Sequence, residues 1–149
     1  MNLDFAPIEG DAPFVFGPIQ TKWLEALESG KFEQGRGQLK DGKRFCCLGV
    51  LCELMQIPWV EDDTNGHGYK EVAPEFTTNG NMPSEVSQQV GFRDDIGGFK
   101  MSREIRSPGG PMYGWVGSLV GCNDLAKMSF KEIAELIRYD PYNVFNIPA

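Results

Sequence analysis

The stretch GQLKDGKRFCCLGVLCELM, residues 37–55, decides how this chain folds. Asp41-Gly42 stands between two short alternating runs. Such a pair signals a β-hairpin, because a type I′ turn needs positive φ at both central residues. The reading is a hairpin from Gly37 to Phe45 with its turn at Asp41-Gly42. The second strand runs straight into CCLGVLCELM, which is apolar almost all round and so predicts a buried helix over 46–55. Gly49 in mid-helix lowers helix stability but lets another backbone come close. Pro58 ends the segment.

Working outward, Pro7, Pro13 and Pro18 make the first eighteen residues an extended arm, with an edge strand read at Phe14–Phe16. Ile19, Trp23, Leu24 and Leu27 recur at helical spacing before Gly30, which predicts a helix over 19–29. Residues 61–82 are polar and turn-rich, with a strand at Tyr69–Val72. Met82-Pro83-Ser84-Glu85-Val86 opens a short helix that ends near Gly91. A strand follows at Phe99–Ile105, then a loop, SPGGPMYGW, over 107–115. Residues 116–126 read as a helix with Leu119, Val120 and Cys122 inward. Ser129 and Glu132 form a capping box, and Phe130, Ile133, Ala134 and Ile137 give one apolar stripe up to about Tyr139. The sum is an α+β fold: a small mixed sheet with a β-hairpin, packed against four to five short helices. It forms a single domain over residues 1–149, of which 1–18 are the arm.

Composition narrows the function. The net charge of −7 argues against a general nucleic-acid binder. Yet residues 31–44 hold five bases, Lys31, Arg36, Lys40, Lys43 and Arg44, against Glu33 and Asp41. Lys100, Arg103 and Arg106 form a second basic patch. Local basic patches on an acidic chain suit a compact anion, or are simply a solvated charged face. The N-terminus carries Asp4, Glu9 and Asp11 without a basic start, so no secretory signal is read and a cytoplasmic place is expected. No apolar run is long enough for a membrane.

Catalytic machinery is not evident. His67 is the sole histidine and lies between two glycines. Cys46, Cys47, Cys52 and Cys122 sit in apolar helical stretches, where packing is the expected role. On one helix, the first three point in different directions, so no metal site is expected. The acidic clusters Glu61-Asp62-Asp63 and Asp94-Asp95 are read as solvated turns, with binding of a divalent ion as the alternative. The expectation is a binder without cofactor. The alternatives are a hydrolase of a cyclic nucleotide signal, with carboxylates such as Asp124 or Asp94 as acid and base, and a protein-binding inhibitor of a host enzyme.

A nucleotide-like anion needs an aromatic face, cations for phosphate, and amide or carboxylate groups for ribose hydroxyls. Tyr113 and Trp115 supply rings, Asn123 and Asp124 the polar groups, and Arg36, Arg44, Arg103, Arg106 and Arg138 the cations. Each has a structural alternative: core or interface for the rings, helix capping for Asn123-Asp124, and dipole complementation for Arg138.

Three blocks carry a resemblance: WLEALESGKFEQGRGQLKDGKRFCCLGVLCEL (23–54), MPSEV (82–86) and SLVGCNDLAKMSFKEIAELI (118–137). In this order they resemble a family of small phage proteins, the Thoeris anti-defence sponges. These sequester cyclic ADP-ribose signals made by bacterial TIR-domain defence enzymes. The resemblance implies binding of a cyclic ADP-ribose isomer without cleavage, at sites near a subunit interface of a homodimer or a hexamer of dimers. Some members also hold cyclic oligonucleotides. It further implies a ligand site built on Asn123, on Arg138, and on an aromatic chosen among Tyr113, Trp115 and Phe99. On that basis, Asn123→Ala and Arg138→Ala are expected to fold normally and lose ligand.

Overall fold

The computed structural model describes residues 13–57, 59–61, 70–72, 82–105 and 114–146. The hairpin forms, one residue away from where its turn was read. Strand β2 (Lys40–Asp41) pairs antiparallel with β3 (Arg44–Phe45), Lys40 facing Phe45 and Asp41 facing Arg44. The turn is therefore Gly42-Lys43. Of its two residues only Gly42 takes positive φ, at +61°. A lone glycine at the first central position meets the need of a II′-type loop, which leaves Asp41 free to end the strand. A further strand, β1 (Glu33–Gln34), lies parallel to β3 and gives the order β1-β3-β2.

Helix α2 (Cys47–Leu54) follows at once, and Cys47 to Cys52 are all buried. Cys46 caps it: its Sγ accepts from the Gly49 N–H at 3.4 Å. The close approach expected at Gly49 is present. A Cβ placed there would stand 1.8 Å from the Leu39 carbonyl oxygen. The hairpin backbone is thus seated directly on α2.

Helix α1 (Pro18–Ser29) starts on a proline and ends at Gly30 in the left-handed region. It buries Trp23, Leu24 and Leu27, and the Trp23 indole donates to the Cys47 carbonyl at 2.9 Å. Gln20, also buried, donates to the Val90 carbonyl at 2.8 Å and so ties α1 to α3 (Ser84–Val90). Phe14 and Phe16 form no strand, contrary to the sequence reading. Their rings pack on Phe145 instead, at 5.9 and 6.3 Å.

Strand β4 (Trp59–Glu61) pairs with β5 (Lys70–Val72), and β6 (Gly98–Ile105) with β7 (Gly114–Ser118), both antiparallel. Residues 116–118, read as helical, belong to β7. The reason is local: Ser118 is extended (φ −159°, ψ 164°) and its Oγ accepts from the Gly121 N–H at 3.0 Å, so helix α4 (Leu119–Asp124) can start only after it. Leu119 and Cys122 face inward as expected. Val120 is only half-buried, and Asn123 takes an inward place in addition.

Helix α5 (Phe130–Tyr139) carries the predicted capping box, with Ser129 Oγ accepting from Glu132 N–H and Glu132 Oε1 accepting from Ser129 N–H. Its stripe Phe130, Ile133, Ala134 and Ile137 is buried, together with Leu136. A further one-turn helix, α6 (Pro141–Val144), brings the described helices to six rather than four or five. Its Asn143 amide accepts from Met101 N–H at 2.6 Å and donates to Met101 carbonyl at 2.8 Å, completing the edge of β6 as a strand neighbour would. The result is an α+β body: a small mixed three-stranded sheet and strand pairs around one apolar core. Among the described residues no helix is long and apolar enough to cross a membrane.

Candidate functional site

The strap that joins β1 to β2 runs Gly35-Arg36-Gly37-Gln38-Leu39 across the C-terminal end of α4. Asn123 is its anchor. The side chain is fully buried, and both of its polar atoms are engaged. Its Oδ1 accepts from Gln34 Nε2 at 2.8 Å and from the Cys47 N–H at 3.3 Å. Its Nδ2 donates to the Gly35 carbonyl and to Asp124 Oδ1, each at 2.9 Å. The bond to Cys47 satisfies a first-turn N–H of α2, one that the helix itself cannot pair. Gln34 Nε2 also donates to the Met128 carbonyl at 2.8 Å. Asp124 Oδ1 accepts from the Gly37 N–H at 3.0 Å.

Arg36 differs from its neighbours in this cluster. Its Nε donates to the Asn123 carbonyl at 3.0 Å, which fixes the plane of the guanidinium. The residue is exposed, and its two terminal nitrogens have no partner among the described residues. The structure thus unites three of the residues singled out by sequence: Asn123, Asp124 and Arg36. Asn123 serves there as a buried hub, a role that the expectation of harmless removal did not include.

Arg138 lies elsewhere. Its Nε and Nη2 grip the Glu28 carboxylate of α1 at 3.0 and 2.7 Å, and its guanidinium sits 6.0 Å from the Phe16 ring centre. Hydrogen bonding to Glu28 holds this guanidinium above its usual range, against a smaller opposing effect of burial. Among the described residues no contact joins it to Asn123. Both side chains of the pair are about two-fifths exposed, at 42% and 40%. Solvent screening then limits the pair to less than about 1 kcal/mol. Arg138→Ala should therefore lower the midpoint of thermal unfolding by a few degrees at most, which a calorimetric melt checks.

Phe99 is half-buried on β6 and packs against the core, whereas Trp115 on β7 stands 72% exposed, opposite Glu104. Arg103 is paired with Asp140 at 3.0 Å. Arg106, Tyr113, His67, the acidic pair Asp62-Asp63 and most of the 107–115 loop lie outside the described residues. The four cysteines are buried free thiols, as expected. Burial pushes the thiols of Cys46 and Cys122 up to about 12, and those of Cys47 and Cys52 up as well. None of the four carries an appreciable thiolate fraction at neutral pH.

Two features escaped the sequence reading. Gln34 escaped because its partners, Asn123 and Met128, lie 89 and 94 residues away. The other is Lys40, whose ammonium stands 5.2 Å from the ring centres of both Phe45 and Trp59. The hairpin register held the signal for it, since Lys40 faces Phe45 across the strands.

The fold and the site define a small α+β protein with a rigidly pinned glycine-rich strap that presents an oriented guanidinium. The chain belongs to the family described as Domain of unknown function (DUF8296), whose model matches residues 17–140. That span starts at the N-cap of α1 and contains every site residue described above. No curated protein and no solved structure matches the chain.

Proposed function

We propose that this protein is a stoichiometric binder of a small anionic nucleotide signal, of the cyclic ADP-ribose class, which it holds without cleaving. In this reading it acts in the cytoplasm of an infected bacterial cell and starves a Thoeris-type defence effector of its signal. The observation that carries the anion-binding part is Arg36. Its guanidinium is oriented by one bond to a main-chain carbonyl, and its terminal donors have no partner among the described residues. That geometry suits phosphate, which accepts paired N–H donors. The strap beneath is pinned before any ligand arrives, so little ordering has to accompany binding. The nucleotide class comes from the resemblance of the 23–54, 82–86 and 118–137 blocks to the anti-defence sponges. The same resemblance supports a homodimer, or a hexamer of dimers, as the working assembly.

A sponge needs affinity rather than turnover. Nanomolar binding corresponds to roughly −12 kcal/mol. One charge-assisted hydrogen bond contributes about 1.5–3 kcal/mol of that. Arg36→Ala should then weaken binding by between about tenfold and 150-fold. Because Arg36 is exposed, its replacement should leave the fold intact. Titration calorimetry with cyclic ADP-ribose isomers tests this: saturable heat at a fixed ratio per chain is expected for the natural protein, and a weaker curve for the variant. Absence of heat with every isomer would remove the proposal.

A further inference from the structure

Lys40 occupies a place where a cation is not expected. In the β1-β3-β2 sheet, Gln34, Phe45 and Lys40 stand in one register row, and Glu33, Arg44 and Asp41 in the next. Side chains of successive rows leave opposite faces of a sheet. Phe45 is buried, while Glu33, Arg44 and Asp41 are exposed. Lys40 therefore shares the core-facing row, half-buried at the sheet edge. Its ammonium lies over two rings, 5.2 Å from the centres of Phe45 and of Trp59. The Trp59 ring is itself fixed, because its indole N–H donates to the Glu53 carboxylate of α2.

This arrangement positions the ammonium on ring faces rather than in a direct ion pair with a carboxylate of the described residues. Aromatic rings attract a cation through their quadrupole and bring no negative charge of their own. Arg103 and Arg138 are each matched by a carboxylate. Arg44 faces Glu33 and Asp41 across the strands. Among the described residues Lys40 has neither a carboxylate partner nor a hydrogen-bond acceptor for its ammonium. Arg36, also oriented and without a carboxylate partner among the described residues, is four residues away, so the two Cα atoms are at most about 14 Å apart.

We infer that Lys40, clamped between Phe45 and Trp59, is a second anion-anchoring group that takes a diphosphate-type ligand together with Arg36. This rests on the anion-binding reading above and adds to it a second residue and the kind of anion. A lysine that merely lays its stem on two rings is the structural alternative, and the variants separate the two.

The full chain is titrated calorimetrically with inorganic pyrophosphate and, separately, with cyclic ADP-ribose. Lys40→Met keeps an unbranched apolar stem against the rings and is expected to weaken pyrophosphate binding at least about tenfold, as loss of a charge-assisted contact requires. Lys40→Arg is expected to retain it. Equal binding by the natural protein and Lys40→Met overturns the inference. Binding of pyrophosphate that Lys40→Met loses, with no binding of cyclic ADP-ribose, upholds Lys40 and removes the sponge reading. Binding of neither ligand removes both. Should Lys40→Met fail to fold, the Lys40 ammonium resonance of the natural protein decides. Displacement of that resonance by pyrophosphate supports the assignment, and an unmoved resonance overturns it.

Discussion

Asn123→Ala is expected to lower folding stability by about 3–5 kcal/mol, the largest effect of any single truncation among the polar residues of the site. The figure follows from what the side chain leaves behind. The Cys47 N–H and the Gly35 carbonyl lose a buried partner. Each group left unpaired away from water costs about 1–3 kcal/mol. Gln34 retains its bond to the Met128 carbonyl, so its loss is partial. The vacated volume adds a cavity term, because the side chain is wholly enclosed. Urea denaturation measures the sum. A variant that unfolds at the same urea concentration as the natural protein would show that the hub bonds contribute little, and would return Asn123 to the role of a removable ligand contact. Any loss of ligand by this variant has to be read against its stability, which is why Arg36 is the better probe of binding.

Gly49→Ala should also destabilise strongly, against the intrinsic preference of the helix. In a free helix, alanine is favoured over glycine by about 1 kcal/mol. Here the added methyl would stand 1.8 Å from the Leu39 carbonyl oxygen and 2.7 Å from its carbon. Both are backbone atoms, so no side chain can swing aside. The same carbonyl accepts from Cys46 N–H at 3.2 Å, the bond that joins the hairpin to the start of α2. Room for the methyl therefore comes only by lifting the hairpin off the helix. Overpacking of this kind typically costs 1–3 kcal/mol and occasionally more. With main-chain atoms in collision, a net loss of about 3 kcal/mol is expected. Thermal and urea unfolding check the sign as well as the size. A stabilised Gly49→Ala protein would mean that the hairpin does not rest on α2 in solution.

These two residues also mark how far the sequence could be read. Gly49 was legible because a glycine inside an apolar helix has few reasons to be there, and close backbone approach is one of them. The capping box at Ser129 and Glu132 was legible for a similar reason: it is a local motif, and local bonds decide it. The hairpin was legible as an element but not in its turn, because Asp-Gly fits either of two registers and the seating of Leu39 on α2 selects one. Residues 116–118 misled because a valine, a glycine and a serine carry no clear period, and pairing with β6 outweighs local preference there.

The site was legible only as a set of residue types. An Asn-Asp pair in an apolar helix announces either a ligand group or a buried hub. The choice depends on Gln34, Gly35 and Cys47, which lie 76 to 89 residues away. Arg138 posed the same question, and its answer, Glu28, lies 110 residues away. Arg36 looked like one base among five, and nothing local told that it is oriented by a main-chain carbonyl. Lys40 was hidden for another reason. Its interest comes from facing the core, and that facing is set by sheet register rather than by composition.

The scaffold and the proposed role connect through rigidity. Asn123 and Asp124 pin the strap at Gly35 and Gly37, the two glycines that flank Arg36. A guanidinium held this way meets an anion with little further loss of freedom, which favours tight and long-lived binding.

The most direct test of sequestration takes the protein from cells that express an active TIR-domain enzyme, denatures it, and identifies by mass spectrometry what is released. An intact cyclic ADP-ribose species, in a fixed ratio to the chain, is the expected result. Release of a linear ADP-ribose product would contradict sequestration and point to hydrolysis instead, and a protein that releases no nucleotide under these conditions would contradict the proposed function altogether.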